Sequence, residues 1–138
     1  MSGVRTEDRK ASSVEFMNSA HELEKLTIQL SMRENAIPKR YRFILGQPLC
    51  EAARTLNRSI TYANAIYPTN RKEYEIRRSY QTKAKMALSD MFEIMRLATE
   101  LLPMKNTVVN EWTKIASIEQ KALLSWMQSD KSRYKDLP

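Results

Sequence analysis

Three prolines fix most of what this chain can become. Pro38, Pro68 and Pro103 cut it into segments 1–37, 38–67, 68–102 and 103–138, four pieces of 37, 30, 35 and 36 residues. Proline restricts its own φ and disfavours helix at the residue before it, so each one marks a stop or a start. Connections in helical bundles take only a few residues, so four near-equal pieces fit four antiparallel neighbours. Glycine closes off the alternatives. There are two, Gly3 and Gly46, which excludes glycine-rich phosphate loops and dinucleotide fingerprints and argues against a strand-and-turn architecture.

Each segment carries a helical period. Phe16, Ala20, Leu23, Thr27 and Leu30 share one face of the first. The second aligns Tyr41, Leu45, Pro48, Ala52, Leu56, Ser59, Ala63 and Ile66, with Pro38 in its first turn, where a missing amide hydrogen costs nothing. The third aligns Tyr80, Ala84, Ala87, Met91, Met95, Ala98 and Leu102. The fourth aligns Val108, Trp112, Ile115, Ala122 and Trp126, with Leu123 beside them and Asn106 or Thr107 as cap. The predicted fold is all-α, an antiparallel up-down four-helix bundle over residues 11–130, with helices at about 11–35, 38–67, 70–102 and 106–129. Residues 1–10 and 131–138 are expected to be flexible ends. Pro48 interrupts the second helix after Gly46: either the helix is kinked there or a short helix precedes a longer one from about Gln47, and because the apolar stripe keeps its phase the expected outcome is the kink.

Length and composition bound the function. A chain of 138 residues suits one domain with a real core. One cysteine, Cys50, and one histidine, His21, assemble neither a disulfide framework nor a Cys/His metal cage. No apolar run approaches the ~20 residues needed to span a bilayer, and the first residues lack a signal-peptide pattern. A cytoplasmic protein that does not engage membrane is expected.

Charge is the functional signal. The formal net charge is +7, but it is not evenly spread. Residues 1–37 sum to −1 and residues 86–138 to 0, whereas residues 38–85 hold eleven basic and three acidic groups, net +8. Solvated faces ordinarily mix signs, and a one-sided excess repels itself without a counterion. On the second helix Arg40, Arg54 and Arg58 fall within a band about 40° wide, opposite the apolar stripe. On the third, Arg71, Arg78 and Lys85 recur every seven residues and Arg96 continues the band. Lys39, Arg42, Lys72, Arg77 and Lys83 flank these rows. Seven of the eleven basic residues are arginines, whose planar fork suits phosphate. Tyr62, Tyr67, Tyr74 and Tyr80 interleave with them and could stack on unpaired bases if exposed. The candidate nucleic-acid-binding residues are Lys39, Arg40, Arg42, Arg54, Arg58, Arg71, Lys72, Arg78 and Lys85.

Catalytic chemistry finds no foothold. His21 reads as a packed or half-exposed histidine, and Cys50, beside Glu51, lacks a base and reads as a small core or interface residue. The acidic pairs Glu22–Glu24, Glu73–Glu75 and Asp90–Glu93 read as surface charge, none in the ExxH pattern of a di-metal bundle. The expectation is a non-enzyme with no metal, no cofactor and no small-molecule substrate. On the first helix Val14, Met17, Ile28 and Met32 form a second apolar stripe. Either the helix sits in a groove that covers it, or the stripe is an oligomer interface.

The run Ile37-Pro38-Lys39-Arg40-Tyr41-Arg42-Phe43-Ile44-Leu45-Gly46-Gln47 resembles the start of the second helix in a four-helix-bundle family. That family comprises the accessory variability determinant (Avd) proteins and bacterial 23S rRNA-intervening-sequence proteins. In it a proline and basic residues lead into an aromatic/apolar turn and a Leu-Gly pair. Leu123-Leu124-Ser125-Trp126-Met127-Gln128-Ser129 is similar to the family's last helix, and the likeness covers about residues 12–130. Pro48 departs from the pattern. The resemblance implies a protomer assembled as a homopentameric barrel with a positive surface. It implies a partner reverse transcriptase of a diversity-generating retroelement, bound together with template RNA or cDNA to support mutagenic retrohoming. Family contact residues carry over only as a region, the charged faces of the second and third helices. The alternative is an adaptor bundle of the intervening-sequence type, which binds an acidic protein or RNA without a reverse transcriptase.

Overall fold

The computed structural model describes the backbone from Thr6 to Pro138 and side chains from Met17 onward. Four long helices account for nearly all of it: α1 (Thr6–Ser31), α2 (Gln47–Asn64), α3 (Arg71–Leu101) and α4 (Asn106–Arg133). No strand occurs among the described residues. Helix α1 packs on α2 and α4, and α3 packs on α2 and α4, so the four close into a bundle. Polar contacts fix the directions. Asn57 on α2 donates to Glu24 at 2.9 Å, and Asn64, two turns further on, lies 3.3 Å from the sulfur of Met17, two turns further back.

The core forms where the apolar periods meet. Ala20, Leu23 and Leu30 of α1 are buried against Ala84, Leu88, Met91 and Met95 of α3 and Trp112, Ala116 and Leu123 of α4. Thr27 fits this interior because its hydroxyl is fully used. It donates to the Leu23 carbonyl at 2.7 Å and accepts the indole N–H of Trp112 at 3.0 Å. A buried hydroxyl without such partners would cost on the order of 1–3 kcal/mol. Phe16 and Val14 lie outside the described side chains.

The stripe expected on the second helix holds at Leu45, Leu56, Ser59 and Ala63, which are buried, and is one residue out between Leu45 and Leu56. Leu49, Ala53, Leu56, Ile60 and Ala63 are buried, while Pro48 and Ala52 sit on the flank. The reason lies just upstream. After Pro38 the chain makes a 3-10 turn (Lys39–Tyr41) and then a π turn (Arg42–Gly46) before α2 proper starts at Gln47. The Gln47 amide donates to the Arg42 carbonyl, five residues back. Pro48 has no amide to offer Ile44, and the wider turn takes up the residue that an α-turn could not seat. The backbone stays helical through Gly46 (φ −64, ψ −50) and Gln47 (φ −63, ψ −49), and the longer helix starts at Gln47 behind two short helical turns, the arrangement expected as the alternative to a kink. Gly46 is not demanded by conformation: a Cβ there would stand 3.6 Å from Arg42 and 3.7 Å from Ser31, ordinary contact.

The helix limits also shift. Helix α1 ends at Ser31, and residues 33–37 form a turn in which Ala36 and Ile37 are buried. Asn106, expected as a possible cap, is already the first residue of α4, and Lys105 before it makes no side-chain cap. Helix α4 runs on to Arg133, and the chain beyond it returns to the start of α3: Arg71 donates its amide to the Pro138 carbonyl at 2.7 Å and its guanidinium to the Lys135 carbonyl at 2.8 Å. None of the described helices is long and apolar enough to cross a membrane.

Candidate nucleic-acid interface

The basic residues of the α2–α3 hairpin are placed by a firmly capped turn. The Asn70 side chain accepts the Glu73 amide at 2.8 Å, and Glu73 reaches back to accept from the Thr69 amide (2.8 Å) and hydroxyl (2.7 Å). This reciprocal pattern satisfies donors that a helix start leaves open. The Thr69 bonds also hold the Glu73 carboxyl below its ordinary pKa.

From there the two basic rows diverge. On α2, Arg54 leans toward α1, its guanidinium 3.8 Å from Glu24, while Arg58 is exposed. On α3, Arg78 leans the other way and donates to the Met127 carbonyl of α4 at 2.8 Å, and Arg71 is held by the chain after α4. Arg42 folds back on α1, donating to the Met32 carbonyl at 3.0 Å and pairing with Glu34 at 3.4 Å. Arg96 pairs with Glu93 and Glu100 along its own helix. Between α2 and α3 runs a groove of about 420 Å³ whose lining includes Glu51, Ala52, Lys83, Met86, Ala87 and Asp90.

Lys39, Arg40, Arg58, Lys72, Lys83 and Lys85 are exposed, and none has an acidic partner among the described residues. Some of them stand with aromatic rings. Tyr62 of α2 and Tyr80 of α3 meet edge-to-face at 5.4 Å across the seam, with the Lys83 ammonium 5.1 Å from the Tyr80 ring centre. Arg58 precedes Tyr62 by one helical turn, which puts both on one face. Tyr67 is exposed in the turn between the helices, whereas Tyr74 is buried against Tyr134 and presents no stacking surface. Phe43 is 80% exposed, an aromatic that helical periodicity alone did not single out.

Arg77 is the clear correction. Expected to flank the basic row, it is buried in the bundle. Its guanidinium makes two bonds to Asp130 (2.6 and 3.1 Å), one to the Ile66 carbonyl (2.8 Å) and a longer one to the Ala63 carbonyl (3.4 Å). Gln81 adds a bond to Asp130 at 2.7 Å, and the rings of Trp126 and Tyr134 lie 5.1 and 5.6 Å from the cation. A charge saturated in this way ties three helices together and leaves nothing for a phosphate. Its signal was its phase: Arg77 falls on the buried face of α3, as Asp130 does on α4.

Glu119 was also missed. It replaces an apolar residue in the buried α4 stripe between Ala116 and Leu123, it is fully buried, and neither carboxyl oxygen has a hydrogen-bond partner. Burial raises its pKa to about 8, so it is a neutral acid at pH 7. His21 is exposed and Cys50 is a half-buried free thiol, neither in contact with this carboxyl. Of the second stripe on α1, Met17 packs against the core beside Asn64, Ile28 is half-buried and Met32 is exposed. The stripe is thus covered internally at one end and open at the other.

No family model, curated protein or solved structure matches the chain.

Proposed function

We propose that this protein is a non-catalytic, nucleic-acid-binding accessory subunit of the accessory variability determinant type, which engages a retroelement reverse transcriptase and its template RNA or cDNA. The observation that carries the nucleic-acid part is the net +8 on residues 38–85, with six exposed cations that have no acidic partner among the described residues and a Tyr62–Tyr80–Lys83 cluster across the seam. The tyrosine rings offer stacking and the cations offer phosphate contact, a pairing suited to single strands. The polymerase partner and the pentameric ring rest on the sequence resemblance. A ring would repeat the basic face and raise affinity through multivalency.

The working contact set is Arg58, Lys72, Lys83 and Lys85 on the hairpin with Lys39 and Arg40 at its upper corner. Arg54 joins by giving up its loose contact with Glu24. Arg42, Arg71 and Arg78 act at the margin, since each already donates to a backbone carbonyl. Most contacts would go to phosphates, so affinity should fall steeply with salt and depend little on sequence.

The test is a titration of single-stranded RNA at low and moderate salt, with the wild type and an Arg58→Glu, Lys72→Glu, Lys83→Glu variant. The expected result is a salt-sensitive complex weakened at least about tenfold by the three reversals. A complex indifferent to salt, or unchanged by the reversals, refutes the interface. Light scattering at the mass of one chain refutes the ring, and a gene neighbourhood lacking a reverse transcriptase refutes the retroelement role.

A further inference from the structure

The corner between α1 and α2 exposes apolar surface that the bundle does not need. Phe43 is 80% exposed, Ile44 67% and Met32 63%. The first two are adjacent in the π turn. The same corner is basic. Arg33, Lys39 and Arg40 are exposed, and a shallow concavity beside them is lined by Glu34, Pro38, Lys39 and Arg40. Glu34, the one acid there, is already engaged: it accepts the Lys39 amide at 3.1 Å and pairs with Arg42 at 3.4 Å. Its charge is therefore spent on holding the corner's shape.

We propose that this corner docks an acidic amphipathic segment of another protein, with Phe43, Ile44 and Met32 receiving its apolar side chains and Arg33, Lys39 and Arg40 its carboxylates. Charge complementarity selects an anionic partner. The apolar trio selects among anionic partners. Phe43 is the one flat ring of the three on which a base could stack, and Ile44 and Met32 match apolar side chains better than bases. Three side chains at a corner do not form the broad apolar face with which a helix lies in a lipid surface. Aliphatic and aromatic anchors ringed by charge fit a helix presenting residues at i, i+3/i+4 and i+7. The corner shares Lys39 and Arg40 with the proposed nucleic-acid contact set, and Phe43, Ile44 and Met32 are what set it apart.

The test selects binders to the full-length protein from a random displayed peptide library and reads their composition. The expected binders are rich in Asp and Glu with apolar residues at helical spacing. They should lose at least about tenfold in affinity for Phe43→Ser, Ile44→Ser and for Lys39→Glu, Arg40→Glu, while Lys72→Glu, Lys83→Glu leaves them unchanged. Circular dichroism checks that each variant keeps its helix content, and the charge pair serves if the apolar pair perturbs the fold. No binders, binders without acidic excess, or binders indifferent to both corner pairs overturn the proposal. It is equally overturned if Phe43→Ser, Ile44→Ser abolishes binding to phosphatidylserine vesicles or oligouridine, or dissolves an oligomer of the wild type, while selected peptides bind as before.

Discussion

Asp130 and Glu119 lie about three turns apart on the same buried face of α4, yet they live in opposite circumstances. Both are inaccessible to solvent. Asp130 receives two bonds from Arg77 and one from Gln81, whereas Glu119 receives none. Burial alone does not decide what a carboxyl does to a fold. A buried carboxylate with a full set of donors is an anchor, and one without them keeps its proton.

The sharpest way to break the contrast is to remove the anchor. Asp130→Ala leaves the Arg77 guanidinium buried without its counter-charge and should cost about 3–5 kcal/mol in urea unfolding. Replacing both partners, as in Arg77→Met with Asp130→Leu, should cost much less than the sum of the single changes, because no charge is left stranded. Additive losses would show that the pair is not the unit it looks like.

Glu119 comes next, and its effect has the opposite sign. Its pKa is about 8 in the folded chain against an ordinary 4.5. Below pH 4.5 both states hold the proton and nothing is lost. As pH rises from about 4.5 through about 8, the unfolded chain releases the proton while the folded chain retains it, so stability falls. Glu119→Leu should flatten that stretch of the profile and at pH 8 exceed the wild type by an amount on the order of 3 kcal/mol. A wild-type melting temperature that does not fall across this window contradicts the assignment of a neutral, unpaired acid.

The smallest change tests the same rule where water can substitute. Asn70 caps α3 at an exposed end, so Asn70→Ala should cost only about 1 kcal/mol, well short of the loss at Asp130. A loss as large as that of Asp130→Ala would mean that the cap at Thr69 and Asn70 is more tightly integrated than its exposure suggests.

Much of the architecture was legible because it rests on periodicity. The α1 positions Ala20, Leu23, Thr27 and Leu30 and the α3 positions Ala84, Ala87, Met91, Met95 and Ala98 are buried as the stripes predict. On α2, Leu56, Ser59 and Ala63 are buried as expected, but Pro48 and Ala52 stand where Leu49 and Ala53 are buried, because periodicity assumes one pitch and the π turn before Gln47 changes it. Arg77, Glu119 and Asp130 escaped because a search for polar surface does not look for charge on an apolar phase. The basic rows were legible as composition but not as geometry. Where a long side chain goes depends on which neighbouring helix offers an acceptor, as Glu24 does for Arg54 and the Met127 carbonyl for Arg78.

The π turn also means that the corner's exposure is written in residue count. Deleting a single residue between Arg42 and Gly46 would let the turn close at ordinary pitch, leaving the chain upstream in place but turning residues inside it by up to about 100° around the α2 axis. Phe43 and Ile44 could keep their identities and still exchange their outlook for another. A comparison of related chains at this corner should therefore track insertions and deletions before substitutions, since length is the variable that steers it.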